Sequence, residues 1–117
     1  MKNKLVFTID VEEWFHSVNL TKFRSNLNET HTSLHTIEPI LSFLETRGIH
    51  GTFFILGVTA QKRPDIVKTI YAKGHEIASH GWDHKLIYSM TKSELSRDLQ
   101  KTDSVLKQIT GISPIGY

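Results

Sequence analysis

Short apolar runs alternate with stretches of helical periodicity along the chain, and this alternation most restricts the folds that the chain can adopt. Each run is too short for a helix and is rich in residues that favour strands. The runs lie at residues 5–9, 52–56, 75–78 and 112–117, the last as the start of a fourth strand. Strands that are separated by helices predict parallel pairing with right-handed crossovers. We therefore expect an α/β fold with parallel strands.

Three helices are predicted between the strands from apolar residues at helical spacing and from end signals. They cover residues 34–44 before a stop at Gly48, residues 59–73, and the stretch from a capping box at 91–94 to Gly111. Pro39 marks either a kink or a late start of the first helix, and Pro64 lies near the beginning of the main part of the second. Residues 12–31 are predicted to form a long loop with one helical turn, a length that compact domains usually keep for function.

The composition excludes several classes of function. None of the 117 residues is a cysteine, so disulfides and thiolate metal sites are excluded and any metal must bind His, Asp or Glu. The formal charge of +2 comes from 14 basic and 12 acidic residues spread along the chain, which gives no case for nucleic-acid binding. No apolar stretch reaches the roughly 7–15 residues of a signal peptide or the about 20 of a membrane span, so we expect a cytoplasmic protein.

Three acidic residues, Asp10, Glu12 and Glu13, follow the first predicted strand. In an extended chain Asp10 and Glu12 share a face, whereas Glu13 points away. Two neighbouring carboxylates can divide the work of a hydrolytic site, because one can bind a metal while the other acts as general base. A solvated acidic turn is the alternative. The position between a buried strand and the aromatic pair at 14–15 favours the floor of a cleft.

Two histidines, His80 and His84, follow the third predicted strand. On a helical turn this spacing places their side chains about 5–6 Å apart, so that both imidazoles can bind one ion. A surface histidine pair explains the spacing alone equally well. In parallel α/β folds, however, function gathers at the carboxyl ends of the strands. We therefore expect the histidines to meet Asp10 and Glu12 there, and the pattern indicates a metal-dependent hydrolase.

The remaining histidines and the tryptophans have less specific interpretations. We expect His75 to hydrogen-bond to the backbone at the entrance of the third strand, and His16 to be exposed rather than to support the acidic residues. Trp14 and Trp82 can stack on a sugar ring or pack in the core, and Asp83 can orient a histidine or face water. Surface or helix-edge positions are expected for His31, His35 and His50.

Together these residues resemble the polysaccharide deacetylase family, also called the NodB homology domain of carbohydrate esterase family four. The acidic cluster at 8–12 resembles the first family motif, and the His-x-x-x-His element at 80–84 resembles the second. The segments 51–57 and 74–80 look like the connecting segments of the family. The acidic-aromatic form at 10–15 is most similar to the branch linked to bacterial exopolysaccharide synthesis, which resembles peptidoglycan deacetylases.

The resemblance implies a zinc-dependent hydrolase that removes N-acetyl groups from the amino sugars of a polysaccharide. By this resemblance Asp10 is the general base, and Glu12, His80 and His84 hold a divalent metal, usually zinc. Glu13 is the alternative to Glu12, which we prefer because it shares a face with Asp10. The implied partner is an N-acetylated polysaccharide or oligosaccharide.

The family fold is similar to an irregular (β/α) barrel, and closed barrels of this sort usually need about 200 residues or more. Residues 1–117 are therefore expected to form the amino-terminal part of a catalytic domain, an unclosed barrel whose open sheet edge favours self-association. One alternative is an inactive truncated remnant that binds metal or carbohydrate, or pairs with another chain. Another is a hydrolase that acts on a small cyclic amide.

Overall fold

Three short strands and four helices make up the regular structure of residues 4–26 and 32–117, which the computed structural model of the chain describes. The strands are β1 (Thr8–Val11), β2 (Thr52–Ile55) and β3 (Glu76–Ser79). The helices are α1 (Ile37–Thr46), α2 (Gly57–Lys62), α3 (Pro64–Ala72) and α4 (Lys92–Thr110). Short 3₁₀ segments lie at Trp14–His16, Val18–Asn26, Leu34–Thr36 and Ile87–Ser89. His31 and the end of the predicted loop, residues 27–31, lie outside the described residues.

The strands form one parallel sheet in the order β1-β2-β3. The register aligns Val11 with Ile55 and Ile55 with Ser79, so the carboxyl ends of all three strands lie level. Parallel neighbours need long connections, and the helices between the strands supply them. The predicted α/β fold with an unclosed parallel sheet is confirmed.

One face of the sheet packs against the helices and forms the core. Because successive side chains alternate between the faces of a strand, Ile9, Phe53 and Ile77 lie in one row on this face. Asp10 and Phe54 lie in the next row, on the opposite face. The helices contribute fully buried side chains to the core, namely Leu41, Leu44, Val67, Ile70 and Leu106.

The first strand lies further along the chain than predicted. Leu5 and Val6 are 95% and 76% exposed, and pairing with β2 begins only at Thr8. The run of apolar residues at 5–9 therefore begins before the strand does. Its first residues are apolar but have no partner strand to pair with. The strand itself shows the alternation of a half-buried strand, with Val11 buried and Asp10 exposed.

The predicted helix over 59–73 is two helices, α2 and α3. Arg63 separates them with φ −132° and ψ 62°, outside the helical region. A residue that precedes proline is disfavoured in helical conformation, and Pro64 then occupies the first turn of α3, where its missing N–H costs nothing.

The predicted fourth strand at 112–117 is also wrong. That segment has no regular structure, although the N–H of Ser79 donates to the carbonyl of Gly116 at 2.8 Å.

The helix-end predictions for α1 and α4 are confirmed. Thr91 Oγ1 accepts the N–H of Glu94 at 3.2 Å, and Glu94 Oε2 accepts the N–H of Thr91 at 2.7 Å, which together form a capping box. Gly111 ends α4 with φ +84°, a conformation that glycine adopts at low cost. Pro39 lies in the first turn of α1, so it marks the start of that helix and not a kink.

His75 makes the backbone contact that the sequence predicted. Its Nδ1 accepts the N–H of Gly51 at 3.1 Å, just before β2 and β3 begin. The side chain is buried, and its Nε2 has no hydrogen-bond partner among the described residues. Burial, followed by the nearby His50 and Lys73, lowers the pKa of His75 below 6.5. In the folded protein His75 is therefore neutral near neutral pH. His35 and His50 are exposed, as expected.

No helix in the described part of the chain is both long enough and apolar enough to cross a membrane. The cytoplasmic location stays a prediction.

We predict that Leu41→Ala lowers the free energy of unfolding by about 2–5 kcal/mol, because it removes apolar volume from a fully buried position. The matched control is Leu5→Ala, the same substitution at a residue that is 95% exposed, where we expect a change within about 0.5 kcal/mol. Urea unfolding followed by circular dichroism measures both. Equal effects at the two positions would contradict the assigned core.

The lowered pKa of His75 predicts acid sensitivity of the fold. Protonation favours the unfolded state, in which the pKa is the ordinary 6.5, so the contribution to stability is complete above pH 6.5 and is lost as the pH falls towards the folded pKa. Between pH 7.5 and 5.5 the wild-type protein should lose more stability than His75→Gln. The exposed His35→Gln serves as control and should follow the wild-type curve.

Candidate metal centre

Side chains from the ends of β1 and β3 converge above the end of β2. Glu12 directly follows β1, and His80 directly follows β3. Two strand spacings separate their backbones, roughly 10 Å, so only long side chains that lean inward can meet. Glu12 Oε2 lies 3.7 Å from His80 Nε2 and 3.5 Å from His84 Nε2. One ligand atom from each of the three residues lies within 4.8 Å of the others.

The three residues fit a divalent metal ion. Glu12 Oε2 and His80 Nε2 are buried and have no hydrogen-bond partner among the described residues, which is costly for polar atoms unless something binds them. Ligands that lie about 2.0–2.1 Å from a tetrahedral ion are about 3.4 Å from one another, close to the 3.7 and 3.5 Å that separate Glu12 Oε2 from His80 Nε2 and His84 Nε2. Imidazole nitrogen and carboxylate oxygen are also the ligands of catalytic zinc, and three protein ligands leave one position open.

Asp10 lies beside this cluster without being part of it. Its Oδ2 is 3.9 Å from His80 Nε2, and its side chain is 58% exposed. Asp10 and Glu12 point to the same side because they are two residues apart in extended chain, as the sequence predicted. A carboxylate that is close to the cluster and open to solvent can exchange protons with a reacting molecule.

Glu13 is turned away from the cluster. Its carboxylate accepts hydrogen bonds from Thr32 Oγ1 at 2.6 Å, from the N–H of Ser33 at 2.7 Å and from Ser33 Oγ at 3.0 Å. Partial burial raises the pKa of Glu13, but these hydrogen bonds together lower it below its ordinary 4.5. Glu13 therefore ties the loop after β1 to the segment before α1, a role that the sequence did not indicate.

The segment from His80 to His84 is not the helical turn that the sequence predicted. It has no regular structure, and Gly81 and His84 have φ of +77° and +56°. A left-handed conformation is uncommon at a non-glycine residue and is often found at functional sites. The bend nevertheless brings the two imidazoles together, with ring centroids 4.9 Å apart.

The beginning of α2 is hydrogen-bonded to this segment. The N–H groups of Gly57 and Val58, which have no partner inside the helix, donate to the carbonyls of Gly81 and Trp82 at 2.9 and 3.0 Å. The six-membered ring of Trp82 packs directly on Gly57, since a Cβ at position 57 would lie 2.3 Å from Trp82 Cε3. Lys101 Nζ lies over the same ring, 3.5 Å from its centroid. Of the two interpretations of Trp82, packing therefore describes the structure.

His16 is buried, and the prediction that it is exposed is wrong. Its Nδ1 accepts the N–H of Glu13 at 3.0 Å, and its own N–H donates to the carbonyl of Glu13. Its Nε2 lies 3.8 Å from Asp83 Oδ1, so Asp83 is oriented towards this histidine. These contacts span only three residues, but Glu-x-x-His is not the Ser/Thr-x-x-Glu/Gln pattern that marks a capping box in a sequence, so the sequence carried no signal for them. Trp14 is 42% exposed and contacts Phe15 edge to face.

An open cleft of about 190 Å³ adjoins the two histidines. Its lining consists of His80, His84, Lys85, Leu86, Ile87 and Tyr117. Burial, and then the negative charge of Asp98, raise the pKa of Tyr117 above its ordinary 10.0, so its hydroxyl stays protonated and can donate a hydrogen bond. A small polar group that enters this cleft would therefore reach the histidines between the apolar side chains of Leu86 and Ile87 and the hydrogen-bonding side chains of Lys85 and Tyr117.

Sequence comparison connects this geometry to known proteins. Residues 30–117 match the family described as polysaccharide deacetylase. The chain is 35% identical over 75 residues to a peptidoglycan-N-acetylglucosamine deacetylase of Bacillus cereus, which is 64% of this chain and 27% of that protein. It is 32% identical over 75 residues to chitin deacetylase 1 of Cryptococcus neoformans, which is 64% of this chain and 16% of that protein. The chain thus spans well under a third of either relative.

The fold comparison agrees. A crystal structure from Mycobacterium smegmatis, provisionally assigned as a polysaccharide deacetylase, superposes with a TM-score of 0.81 at 28% identity. The superposition covers 96% of this chain and 41% of that chain. The matched family segment is more than half of the sequence and contains both histidines of the cluster, and the structural match extends to the strand before Glu12. The chain belongs to the polysaccharide deacetylase family.

Proposed function

We propose that this chain carries the metal site and the general base of a hydrolase that removes N-acetyl groups from the amino sugars of a polysaccharide. The observation that carries the proposal is the pair of buried atoms Glu12 Oε2 and His80 Nε2, which lie beside His84 at the carboxyl ends of parallel strands and have no hydrogen-bond partner in the described part of the chain. Family membership supports the reaction class. We further propose that residues 1–117 are the amino-terminal part of the catalytic domain.

In this proposal Glu12, His80 and His84 hold a divalent ion, most simply Zn²⁺. An ion held by these residues would supply Lewis-acid chemistry: it would lower the pKa of a water molecule and polarise the acetamide carbonyl. The absence of cysteine and the N₂O donor set both favour zinc over softer ions. The hydrogen bonds of Glu13 to Thr32 and Ser33 support the choice of Glu12 over Glu13 for this role.

Asp10 is the proposed general base. It lies 3.9 Å from His80 Nε2 and is open to the solvent from which water enters. Its carboxylate takes a proton from water as the oxygen bonds to the acetyl carbon, and the proton then passes to the amine nitrogen as the C–N bond breaks. Acetate and a free amino sugar are the products. The cleft beside His80 and His84 would receive the acetyl group, with Tyr117 as a hydrogen-bond donor.

Zinc binding tests the ligand assignment. We expect the wild-type chain to bind one Zn²⁺, and Glu12→Gln to weaken binding at least a hundredfold, because it removes a charged ligand. Glu13→Gln is the matched control, since it makes the same change in the neighbouring residue that faces away, and it should keep the affinity within about threefold. Isothermal titration calorimetry measures both. A Glu13→Gln loss with an intact Glu12→Gln would reverse the assignment, and a folded wild-type chain without zinc affinity would refute the site.

Catalysis tests the role of Asp10. When the carboxyl-terminal part of the catalytic domain is supplied, zinc-loaded protein should release acetate from N-acetylglucosamine oligomers. Asp10→Asn should lower kcat by about 10²–10⁴-fold while the Kd for zinc stays within about threefold. The exposed Asp65→Asn on α3 is the control and should keep wild-type kcat. Equal loss in both variants would contradict the assigned base.

The same assay separates the alternatives. Zinc binding without acetate release would favour a non-catalytic module that binds metal or carbohydrate. Hydrolysis of hydantoin-like amides, with none of acetylated sugars, would favour a cyclic-amide hydrolase. Self-association through the open edge of the sheet stays a prediction.

A further inference from the structure

The loop that carries the two histidines is held by hydrogen bonds at successive residues. The N–H of His80 donates to the carbonyl of Ile55 in β2 at 3.1 Å, which continues the pairing of β3. The carbonyls of Gly81 and Trp82 accept from the start of α2. These contacts fix the beginning of the loop against the sheet and α2. The N–H of Trp82, halfway between the histidines, takes part in none of these contacts.

The partner of the Trp82 N–H is Asp98, on the long helix α4. Asp98 Oδ2 accepts the N–H of Trp82 at 2.9 Å, in a partly buried position. The same oxygen closely adjoins Gly81, because a Cβ at that position would lie 3.1 Å from it. Lys101, three residues further on the same helix face, covers the ring of Trp82. Helix α4 therefore contacts both the backbone and the side chain of the residue between the metal ligands.

The carboxylate of Asp98 is engaged outside its own helix. Aspartate is a poor helix former, and Asp98 lies in the middle of α4, far from the amino-terminal turn where the helix dipole favours a negative charge. The hydroxyl of Thr102 donates to the carbonyl of Asp98, which engages the backbone and not the carboxylate. The carboxylate of Asp98 instead accepts a hydrogen bond from the loop.

The conformation of the loop gives this contact its importance. Gly81 and His84 both have positive φ, and at His84 this costs energy that the surrounding structure must supply. A hydrogen bond to a charged acceptor is stronger than a neutral one, and a partly buried N–H without a partner is costly. The Asp98 carboxylate therefore favours the bent loop over relaxed alternatives in which His84 would leave Glu12.

We propose that Asp98 is a positioning residue for the metal centre: by accepting the N–H of Trp82 it holds residues 80–84 in the conformation that turns His84 towards Glu12. The proposal rests on the proposed metal site and adds a residue outside the family motifs to it. Groups that orient metal ligands typically contribute 10–100-fold to metal affinity.

Zinc and cobalt titrations of the full chain test this role. Asp98→Ala should weaken zinc binding about 10–100-fold and shift the visible absorption bands of bound Co²⁺, because His84 is no longer held at its ligand position. Asp98→Asn keeps an oxygen acceptor for the N–H of Trp82 and should restore the affinity to within about threefold and restore the Co²⁺ spectrum. Asp103→Ala, on the same helix, is the matched control and should behave like wild type. If Asp98→Ala does not fold, Asp98→Ser replaces it with the same expectation.

Each outcome decides the question. Wild-type affinity and an unchanged Co²⁺ spectrum in folded Asp98→Ala would overturn the positioning role. Asp98→Asn that binds as weakly as Asp98→Ala would also overturn it, since the hydrogen bond would then not be the cause. Failure of the wild-type chain itself to bind zinc would instead refute the proposed metal site, so the two failures are distinguishable.

Discussion

The candidate site depends on the parallel register of three short strands. Each strand has only four residues, yet their ends are level because Val11, Ile55 and Ser79 lie in one row. A shift of one residue in either outer strand would turn its side chains to the other face of the sheet. Glu12 and His80 would then leave the sheet in opposite directions. The row of Ile9, Phe53 and Ile77, which faces the core, opposes such a shift, so the core fixes the geometry of the site.

Some buried polar atoms near the end of this sheet lack a hydrogen-bond partner among the residues that the structure describes, and this lowers the stability of the fold. Within residues 4–26 and 32–117, no group forms a hydrogen bond with the buried atoms Glu12 Oε2 and His80 Nε2, and His84 has a strained backbone. The surroundings offset these costs with conventional contacts, among them the capping of α2 by the loop carbonyls and the three hydrogen bonds to Glu13. A preformed ion-binding site requires this combination: polar ligand atoms that are free to bind an ion, held in place by surrounding residues with well-formed contacts.

The parts of this arrangement that follow from short-range rules could be predicted from the sequence. Alternation in extended chain placed Asp10 and Glu12 on one side, and the capping box before α4 marked its beginning. The predictions failed where a distant partner decides the conformation. The bend after His80 depends on contacts with α2 and α4. The burial of His16 was missed for a different reason, because its partner Glu13 is only three residues away but no pattern in the sequence marks that turn. The break in the helix before Pro64 follows from a local rule, since a residue that precedes proline is disfavoured in helical conformation. The prediction missed the break because apolar residues at helical spacing continue on both sides of it.

The contact between Gly57 and Trp82 links two positions that are 25 residues apart in number and adjacent in space. A methyl group at position 57 would occupy the place of the indole, so neither residue can change freely without the other. In relatives of this chain the two positions should therefore vary together. A larger residue at the start of α2 would require a smaller one between the histidines, and the loop would then need another anchor.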